Sequence, residues 1–363
     1  MLSLRSAVGV NRGAESPFSR TAQHHDTRDV DHASCCVVGG GPAGLFLSLL
    51  FARQGIPVVL LEAHADFNRE FRGDTIHPAI LQLLDEIGLA DGLLSTVAHT
   101  RLRRFATPIS GRVPLVLDFG NLRSRFSFMA FMRQADFLEF LATEAGRYPS
   151  FRLVMGANAR ELIEEEGVVR GVRYQAADGW RAVRAVLTVG ADGRFSRLRQ
   201  LAGLPPAVKT SAPMDILWFR LSRQDRDPEG VVGGFSMGRG LIMLERTDYW
   251  QVGYVLPKGI YQQVHADGLE AFKASLAARM PWIAERLDEL HDWKQRSLVS
   301  VEADRLPRWY RAGLLLIGDA AHVMSPLGGN GINYAIQDAA AAANALWPLS
   351  SNGSVMSCGR QWV

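Results

Sequence analysis

Val37-Val38-Gly39-Gly40-Gly41-Pro42-Ala43-Gly44 is the stretch that decides how the rest of this chain is read. Gly39, Gly41 and Gly44 stand at the glycine positions of a dinucleotide fingerprint, where the backbone turns tightly, approaches a pyrophosphate and packs a helix on a strand. Each of those tasks excludes a β-carbon. The run Cys35-Cys36-Val37-Val38 before it has the pattern of a buried parallel strand. A helix is expected from Pro42 to about Gln54, stopped by Gly55, and Pro57 to Glu62 reads as a second buried strand. The helix N-terminus that follows Pro42, at Ala43 and beyond, would then face a phosphate with unpaired N–H groups and the positive end of its dipole. Glu62 closes the second strand about 20 residues on, where a carboxylate accepts hydrogen bonds from an adenosine ribose. A turn that merely needs glycines is the plain alternative, but it leaves the flanking strand, helix and acid unexplained.

Outward from this βαβ unit, the spacing of Ile76, Ile80, Leu83, Leu84 and Ile87 predicts a helix from Thr75 to Leu89, with Gly88 as its stop. Alternation takes over between about Arg103 and Met132. A helix from Gln134 to about Arg147 precedes short strands between Phe151 and Arg184, separated by the turns Glu166-Gly167 and Asp178-Gly179. The apolar segment Ala185 to Val189 returns to the main sheet. Strands are expected near Asp215–Ser222, Leu241–Glu245 and Tyr249–Val255, with Gly233-Gly234, Gly238 and Gly240 as hairpin glycines, and helices from Leu269 to about Leu290. Leu314 to Ile317 is another buried strand, and a last helix runs from about Gly331 to Leu346.

The 363 residues suffice for two sub-domains, since single cores stop growing near 250–300 residues, by about that measure. With 47% hydrophobic and 21% charged residues the composition is that of an ordinary globular protein. The net charge of +3, from 40 basic and 37 acidic residues without clustering, gives no sign of a nucleic-acid partner. Cys35, Cys36 and Cys358 make no disulfide framework, because the first two are adjacent in a buried strand, so a reducing, cytoplasmic compartment is expected. Apolar runs such as Leu45 to Ala52 fall short of the ~20 residues that span a bilayer, so no integral membrane association is expected. Residues 1–33 lack a strand or helix period and read as a disordered extension. Arg5, Arg12 and Arg20 would suit an organelle-targeting peptide, against which Glu15, Asp26, Asp29 and Asp31 argue. His24-His25 has no metal-ligand spacing, and no metal site is expected.

Two further motifs distinguish flavin from nicotinamide binding. They are Gly190-Ala191-Asp192-Gly193-Arg194-Phe195-Ser196, and Gly318-Asp319-Ala320-Ala321-His322 followed by Pro326, Gly328, Gly329, Asn330, Gly331 and Asn333. In order and spacing with the first glycine motif, they make the chain from Ser34 to Leu346 resemble the single-component flavin monooxygenases of the p-hydroxybenzoate hydroxylase type. The residues agree with that resemblance. Asp319 follows a buried strand into a glycine-rich turn, where its carboxylate can accept a ribityl hydroxyl beside a cluster of backbone N–H groups. The competing account, a helix-capping turn at Asp319 and Asn330, requires neither the glycines nor Pro326.

The resemblance implies an α/β fold: a Rossmann-like FAD-binding domain of the glutathione reductase type with an inserted mixed-sheet substrate domain. The FAD-binding domain would comprise residues 34–102, 133–204 and 301–347, and the substrate domain 103–132 and 205–300. It further implies that Arg72 reaches the FAD pyrophosphate, that Gln134 contacts the flavin side chain, and that Asp192 serves FAD binding and nicotinamide use. The loop Pro326 through Gly331 would lie along the isoalloxazine, its amides favouring the anionic reduced ring. Arg72 as a surface arginine, Gln134 as a helix cap and Asp192 as a turn former are the bland readings. His77 and His322 read as structural histidines. The implied activity is hydroxylation of a small aromatic or related apolar substrate, with FAD reduced by NAD(P)H and O₂ entering through a C4a-hydroperoxyflavin. The pocket is expected between the flavin edge and the mixed-sheet block, where Trp218, Phe219, Met243 and Tyr249 sit on predicted strands; alternation leaves open which of them face a ligand, and no substrate residue, catalytic acid or base is assigned. After Trp347-Pro348 an atypical tail, residues 348–363, stands where the family continues with further helices. That leaves a truncated FAD-binding protein without turnover, or a flavin-dependent reductase, as the alternative.

Overall fold

The computed structural model describes residues 30–68, 75–109, 112–204, 208–236, 239–246 and 248–351, so Arg72, His24, His25 and Cys358 lie outside the described residues. The chain opens on β1 (Val30–Val38), α1 (Pro42–Arg53) and β2 (Val58–Glu62). Cys36 and Val37 are wholly buried, as a central parallel strand covered on both faces demands. Pro42 suits the first helical turn, and Gly55, at φ 74°, ends α1 in the left-handed region. The described strand starts before Ser34. Val30 to Ala33, read above as extension, pair with Ala182 to Ala185 through their backbones, so the polar side chains of Asp31 and His32 gave no strand signal.

Next come β3 (Thr75–Ile76), α2 (Pro78–Glu86), α3 (Ala90–Thr96), β4 (His99–Leu102), β5 (Arg104–Ile109), β6 (Arg112–Asp118) and β7 (Met129–Met132). The helix expected from Thr75 starts instead at Pro78, because the residue before a proline is held in extended backbone; His77 has ψ 158°. Then follow α4 (Gln134–Gly146), β8 (Phe151–Met155), β9 (Asn158–Glu165), β10 (Val168–Ala176), β11 (Gly179–Gly190) and α5 (Arg197–Leu201). β11 is one strand of 12 residues that joins a hairpin arm to the buried return segment.

The second half holds β12 (Val208–Ser222), β13 (Val231–Ser236), β14 (Arg239–Glu245), β15 (Tyr249–Pro257), α6 (Tyr261–Ala266) and α7 (Leu269–Arg279). At Pro281 the expected helix gives way to 3₁₀ turns over Pro281–Glu289, since proline supplies no N–H and pushes Met280 out of helical backbone. The chain closes with β16 (Ser297–Arg305), β17 (Tyr310–Arg311), β18 (Leu314–Leu316), β19 (His322–Val323) and α8 (Asn330–Ser351). Among the described residues no helix is long and apolar enough to cross a membrane.

One 8-stranded sheet runs β17-β18-β11-β1-β2-β8, with the β9–β10 hairpin built onto β11. β18, β11, β1, β2 and β8 are parallel neighbours. Leu45, Leu49, Phe137, Leu141, Ile336 and Ala339, from α1, α4 and α8, cover one face of it. A second 8-stranded sheet, β19-β16-β12-β15-β14-β13-β5-β6, is antiparallel except where β13 meets β5. A 3-stranded sheet, β3-β7-β4, touches the mixed sheet through Met129 and Phe131 against Val231 and Leu244, and α8 through the Thr75–Asn333 bond. The segment expected as substrate domain, 103–132, is therefore divided, because β5 and β6 join the mixed sheet and β7 pairs with β3 and β4.

A buried ion pair fastens the 3₁₀ segment to the mixed sheet. Asp227 accepts from Arg286 Nη1 at 2.5 Å, Arg286 Nη2 at 2.9 Å and Trp250 Nε1 at 2.8 Å. Burial pushes the Asp227 carboxyl up, but the bonds from Arg286, the Gln224 backbone and Trp250 outweigh it and bring the pKa to about 2.

Candidate cofactor site

Register alone brings the sequence motifs to one edge. Val38 pairs with Leu61 on one side and Gly190 on the other, and Gly190 pairs with Leu316. Gly39, Glu62, Ala191 and Ile317 therefore emerge together at the carboxyl ends of parallel strands, where ligands bind in open α/β sheets. Backbone bonds continue the ladder past the strands: Gly39 N–H to Leu61 O (2.8 Å), Ala191 N–H to Val38 O (2.7 Å) and Ile317 N–H to Gly190 O (2.9 Å).

The fingerprint glycines divide by what a β-carbon would meet. At Gly39, φ 109°, it would lie 2.3 Å from Ala191 O, and at Gly44 1.9 Å from Gly39 O. Those two glycines allow the motifs to touch each other. At Gly41 the same atom meets nothing of the protein within 4 Å. Gly41 also precedes α1 without a side-chain cap, so the first-turn amides, Ala43 and Gly44 among them, face that open space. An anion approaching the helix there accounts for a glycine that packing does not require.

Glu62 is buried, its Oε2 accepting from Gly40 N–H at 2.7 Å and its Oε1 from His64 N–H at 2.9 Å. Oε1 also stands 2.5 Å from His64 Nδ1, a partner that a ribose hydroxyl would join or replace. Asp192 is engaged locally: Oδ1 accepts from Ser196 Oγ at 2.5 Å and Oδ2 from Leu198 N–H at 3.0 Å, at the start of α5. Burial raises its pKa against the pull of those bonds. Gln134 opens α4, half-buried.

The last motif folds back onto the first. Gly318, at φ 60°, would place a β-carbon 3.2 Å from that of Ala43, and half-buried Asp319 follows it in a 3₁₀ turn, Gly318–Ala320. Pro326, Gly328, Gly329, Asn330 and Gly331 form the loop into α8, with Gly328 at φ 77° and Gly329 at φ 65°. A β-carbon at Gly329 would meet Thr75 Oγ1 at 2.7 Å. Buried Asn333 secures this approach, donating to Thr75 O (2.9 Å) and Gly329 O (2.8 Å) and accepting from His77 N–H (2.8 Å). His77 Nε2 lies 2.8 Å from Gly328 O. Burial holds its pKa below the usual histidine value, the Gly328 carbonyl opposing.

Sequence reading missed one residue at this turn. Asp338 on α8 accepts from Gly318 N–H at 2.8 Å and from His322 Nε2 at 2.7 Å. Its signal was available, since it is the lone charged residue between Asn330 and Ser351. On the mixed sheet, Phe219 and Met243 face the helical layer with Phe272 and Leu276, while Trp218 lies on the other face with Ile216, Val255 and Val301. A cavity of about 220 Å³ lined by Arg239, Tyr254, Val264 and Phe272 is on that helical side and takes no part in the edge just described.

A parallel sheet whose glycine turn, acid-ended second strand and Gly-Asp turn meet at one edge defines a dinucleotide-dependent oxidoreductase. Residues 32–352 match the family described as "FAD binding domain", and the chain belongs to that family. It is 37% identical over 317 residues to 6-methylpretetramide 4-monooxygenase of Streptomyces rimosus, covering 86% of this chain and 75% of that protein. PqsL of P. aeruginosa, solved in complex with 2-aminobenzoylacetate, superposes with a TM-score of 0.77 at 20% identity, over 89% of this chain and 88% of its own. The p-nitrophenol 4-monooxygenase PnpA of Pseudomonas putida DLL-E4 does so with 0.72 at 20% identity, over 90% and 82%. The solved structures are likenesses of fold. With the family and its named relatives together, the protein is a FAD-dependent monooxygenase.

Proposed function

We propose that this chain uses NAD(P)H and O₂ to hydroxylate a small aromatic or related apolar compound. The observation that carries the reading is the meeting of Gly39, Glu62, Ala191 and Ile317 at one sheet edge, with open space at Gly41. Bound FAD would supply the hydride acceptance and oxygen activation, which no side-chain set can. The chain binds and orients. Ala43 and Gly44 offer the first N–H groups of α1 to the pyrophosphate, Pro42 having none and Gly41 leaving room for the approach, and Glu62 accepts from the adenosine ribose. Asp319 takes a ribityl hydroxyl, and in the loop that Pro326 opens the backbone N–H groups of Gly328, Asn330 and Gly331 are assigned to negative charge on the ring, that of Gly329 being bonded to Pro326 O at 3.0 Å. Gln134 and Asp192 are assigned to the flavin side of the cleft, and Arg72, outside the described residues, to the pyrophosphate. The FAD-binding domain, expected over 34–102, 133–204 and 301–347, is read with Val30 to Ala33 and β7 added and with the β16 residues 301–305 given to the mixed sheet, and the substrate lies between it and the Trp218 face of the mixed sheet. With Cys35 and Cys36 free and buried, the reading places the protein in the cytoplasm.

The test is an oxygen-consumption screen over phenols, hydroxypyridines and quinone precursors, scored by product mass, with anaerobic NAD(P)H addition alongside. The expected result is flavin bleaching that aromatic ligands accelerate, and a product heavier by one oxygen atom. Flavin that binds but is never bleached with any ligand present would leave only a binding role.

A further inference from the structure

Asp338 sits inside α8 among alanines, where aspartate is a poorer helix former than its neighbours, so its presence calls for another cause. Its side chain is only 14% exposed, and it reaches out of its own helix to the flavin turn. One oxygen, Oδ2, receives both the Gly318 N–H and His322 Nε2, on either side of Asp319. Gly318 is also where three elements crowd, since its β-carbon would lie 3.2 Å from Ala43 and 3.6 Å from Ala335. Trp309 covers the His322 ring, centroids 5.0 Å apart. Facing the same ring are Asp319 on the turn and Asp304 on β16, the latter 3.5 Å from Arg199. The bond from Asp338, and then these carboxylates, hold the His322 pKa above the ordinary value of 6.5, although burial opposes them.

We propose that Asp338 is the positioning residue of the flavin turn: by gathering the Gly318 N–H and the His322 ring on one carboxylate oxygen, it sets the angle at which Asp319 meets the flavin side chain. This rests on the flavin-site reading above. Two donors that bracket Asp319 and converge on one acceptor leave the turn a single arrangement. While His322 is protonated its bond to Asp338 is charge-assisted. As pH rises through the raised histidine pKa that assistance is lost, the turn loosens, and FAD affinity falls.

The experiment is a titration of FAD with apoprotein, read by flavin fluorescence from about pH 6 to pH 9. It compares the wild type with Asp338→Ala, Asp338→Asn and His322→Gln, with apoprotein melting recorded for each. Loss of a charge-assisted bond predicts FAD binding weaker by about tenfold or more in Asp338→Ala. Asp338→Asn keeps an acceptor for Gly318 and hence most of the apoprotein midpoint, but the alkaline loss of affinity disappears, as it does in His322→Gln. If Asp338→Ala does not fold, the other two variants decide. Asp338→Asn binding FAD with the wild-type constant and the wild-type pH dependence would overturn the proposal. A wild-type apoprotein that fails to take up FAD at all would instead sink the flavin-site reading, an outcome visible before any variant is made.

Discussion

Gly41 and Gly44 separate a glycine kept for the cofactor from one kept for the fold. At 41 a methyl group meets no protein atom within 4 Å, and the backbone, φ −77° and ψ −176°, is one that alanine adopts freely. Gly41→Ala should therefore leave the apoprotein as stable as before, or raise its stability by about 0.4–1 kcal/mol through the entropy of the unfolded chain. The same methyl enters the space where a pyrophosphate would approach α1. Loss of one hydrogen bond to that charged group costs about 1.5–3 kcal/mol, so the FAD dissociation constant should rise about 10- to 150-fold. At 44 the methyl carbon would stand 1.9 Å from Gly39 O, a backbone atom that cannot rotate aside. Gly44→Ala must push α1 off β1, an overpacking of about 1–3 kcal/mol or more, and the apoprotein midpoint falls. Thermal melting with and without FAD reads both effects. With FAD at about 100 times its wild-type dissociation constant, the wild type gains about 2.7 kcal/mol, whereas a variant that binds a hundredfold more weakly gains only about 0.4 kcal/mol. Gly41→Ala binding FAD like the wild type, or melting as early as Gly44→Ala without it, would refute the reasoning.

Two other perturbations probe the scaffold. Asp227→Asn strands Arg286 in a pair whose side chains are 5% and 2% exposed, and should cost about 3–5 kcal/mol at neutral pH, measured as a lowered urea midpoint. Because the folded Asp227 pKa of about 2 lies below its ordinary 3.8, the wild-type advantage is complete above the ordinary value and drains as pH falls from there towards 2. A difference between the two proteins that stays constant across that window would contradict the assignment. The Cys36 thiol is pushed up to about 12 by burial, and Cys35 is raised by burial and then by its neighbour. Iodoacetamide at about pH 8 should leave the peptide bearing both unmodified until guanidinium is added, as mass mapping would show; rapid labelling of the native protein would place β1 outside the core.

The parts legible in the sequence were those where the backbone itself restricts the residue. Gly39 and Gly44 are glycines because another main chain comes within 2.3 and 1.9 Å of the missing β-carbon, and such positions show in any sequence. The runs that end at Val38, Glu62, Gly190 and Leu316 were legible because a parallel strand covered on both faces is apolar throughout. Pairings that depend only on main-chain atoms were not. Val30 to Ala33 extend β1 against β11, yet Asp31 and His32 carry nothing that says so. Alternation between 103 and 132 marked strands correctly but could not say that β5 and β6 leave for the mixed sheet while β7 returns to β3. Asp338 stood out as the one charge between Asn330 and Ser351, but which groups it serves, 20 and 16 residues away, no local pattern records.

Asp192 and Trp218 show where residue type and position underdetermine role. A carboxylate before a glycine suits a turn and a flavin contact alike; its bonds to Ser196 and Leu198 establish the turn, and its position at the shared edge is what leaves the second role available. Along β12, the period of two groups Trp218 with Ile216 and Phe219 with Leu217, but which pair the helical layer covers is decided far away. Phe272 and Leu276 of α7 cover the Phe219 face. Trp218 aligns with Gly253 and Ile242 across the strands, and the next residue on that face of β14, Leu244, packs with Met129 and Phe131 of β7. β7 pairs with β3, whose Thr75 is bonded to Asn333 beside the Gly329 loop. A β-carbon at Gly253 would lie 2.8 Å from the Trp218 ring, so that glycine is what lets the indole lie against the sheet. Which residues share the Trp218 face is thus set by separated strands, and alternation within one strand holds only half of it.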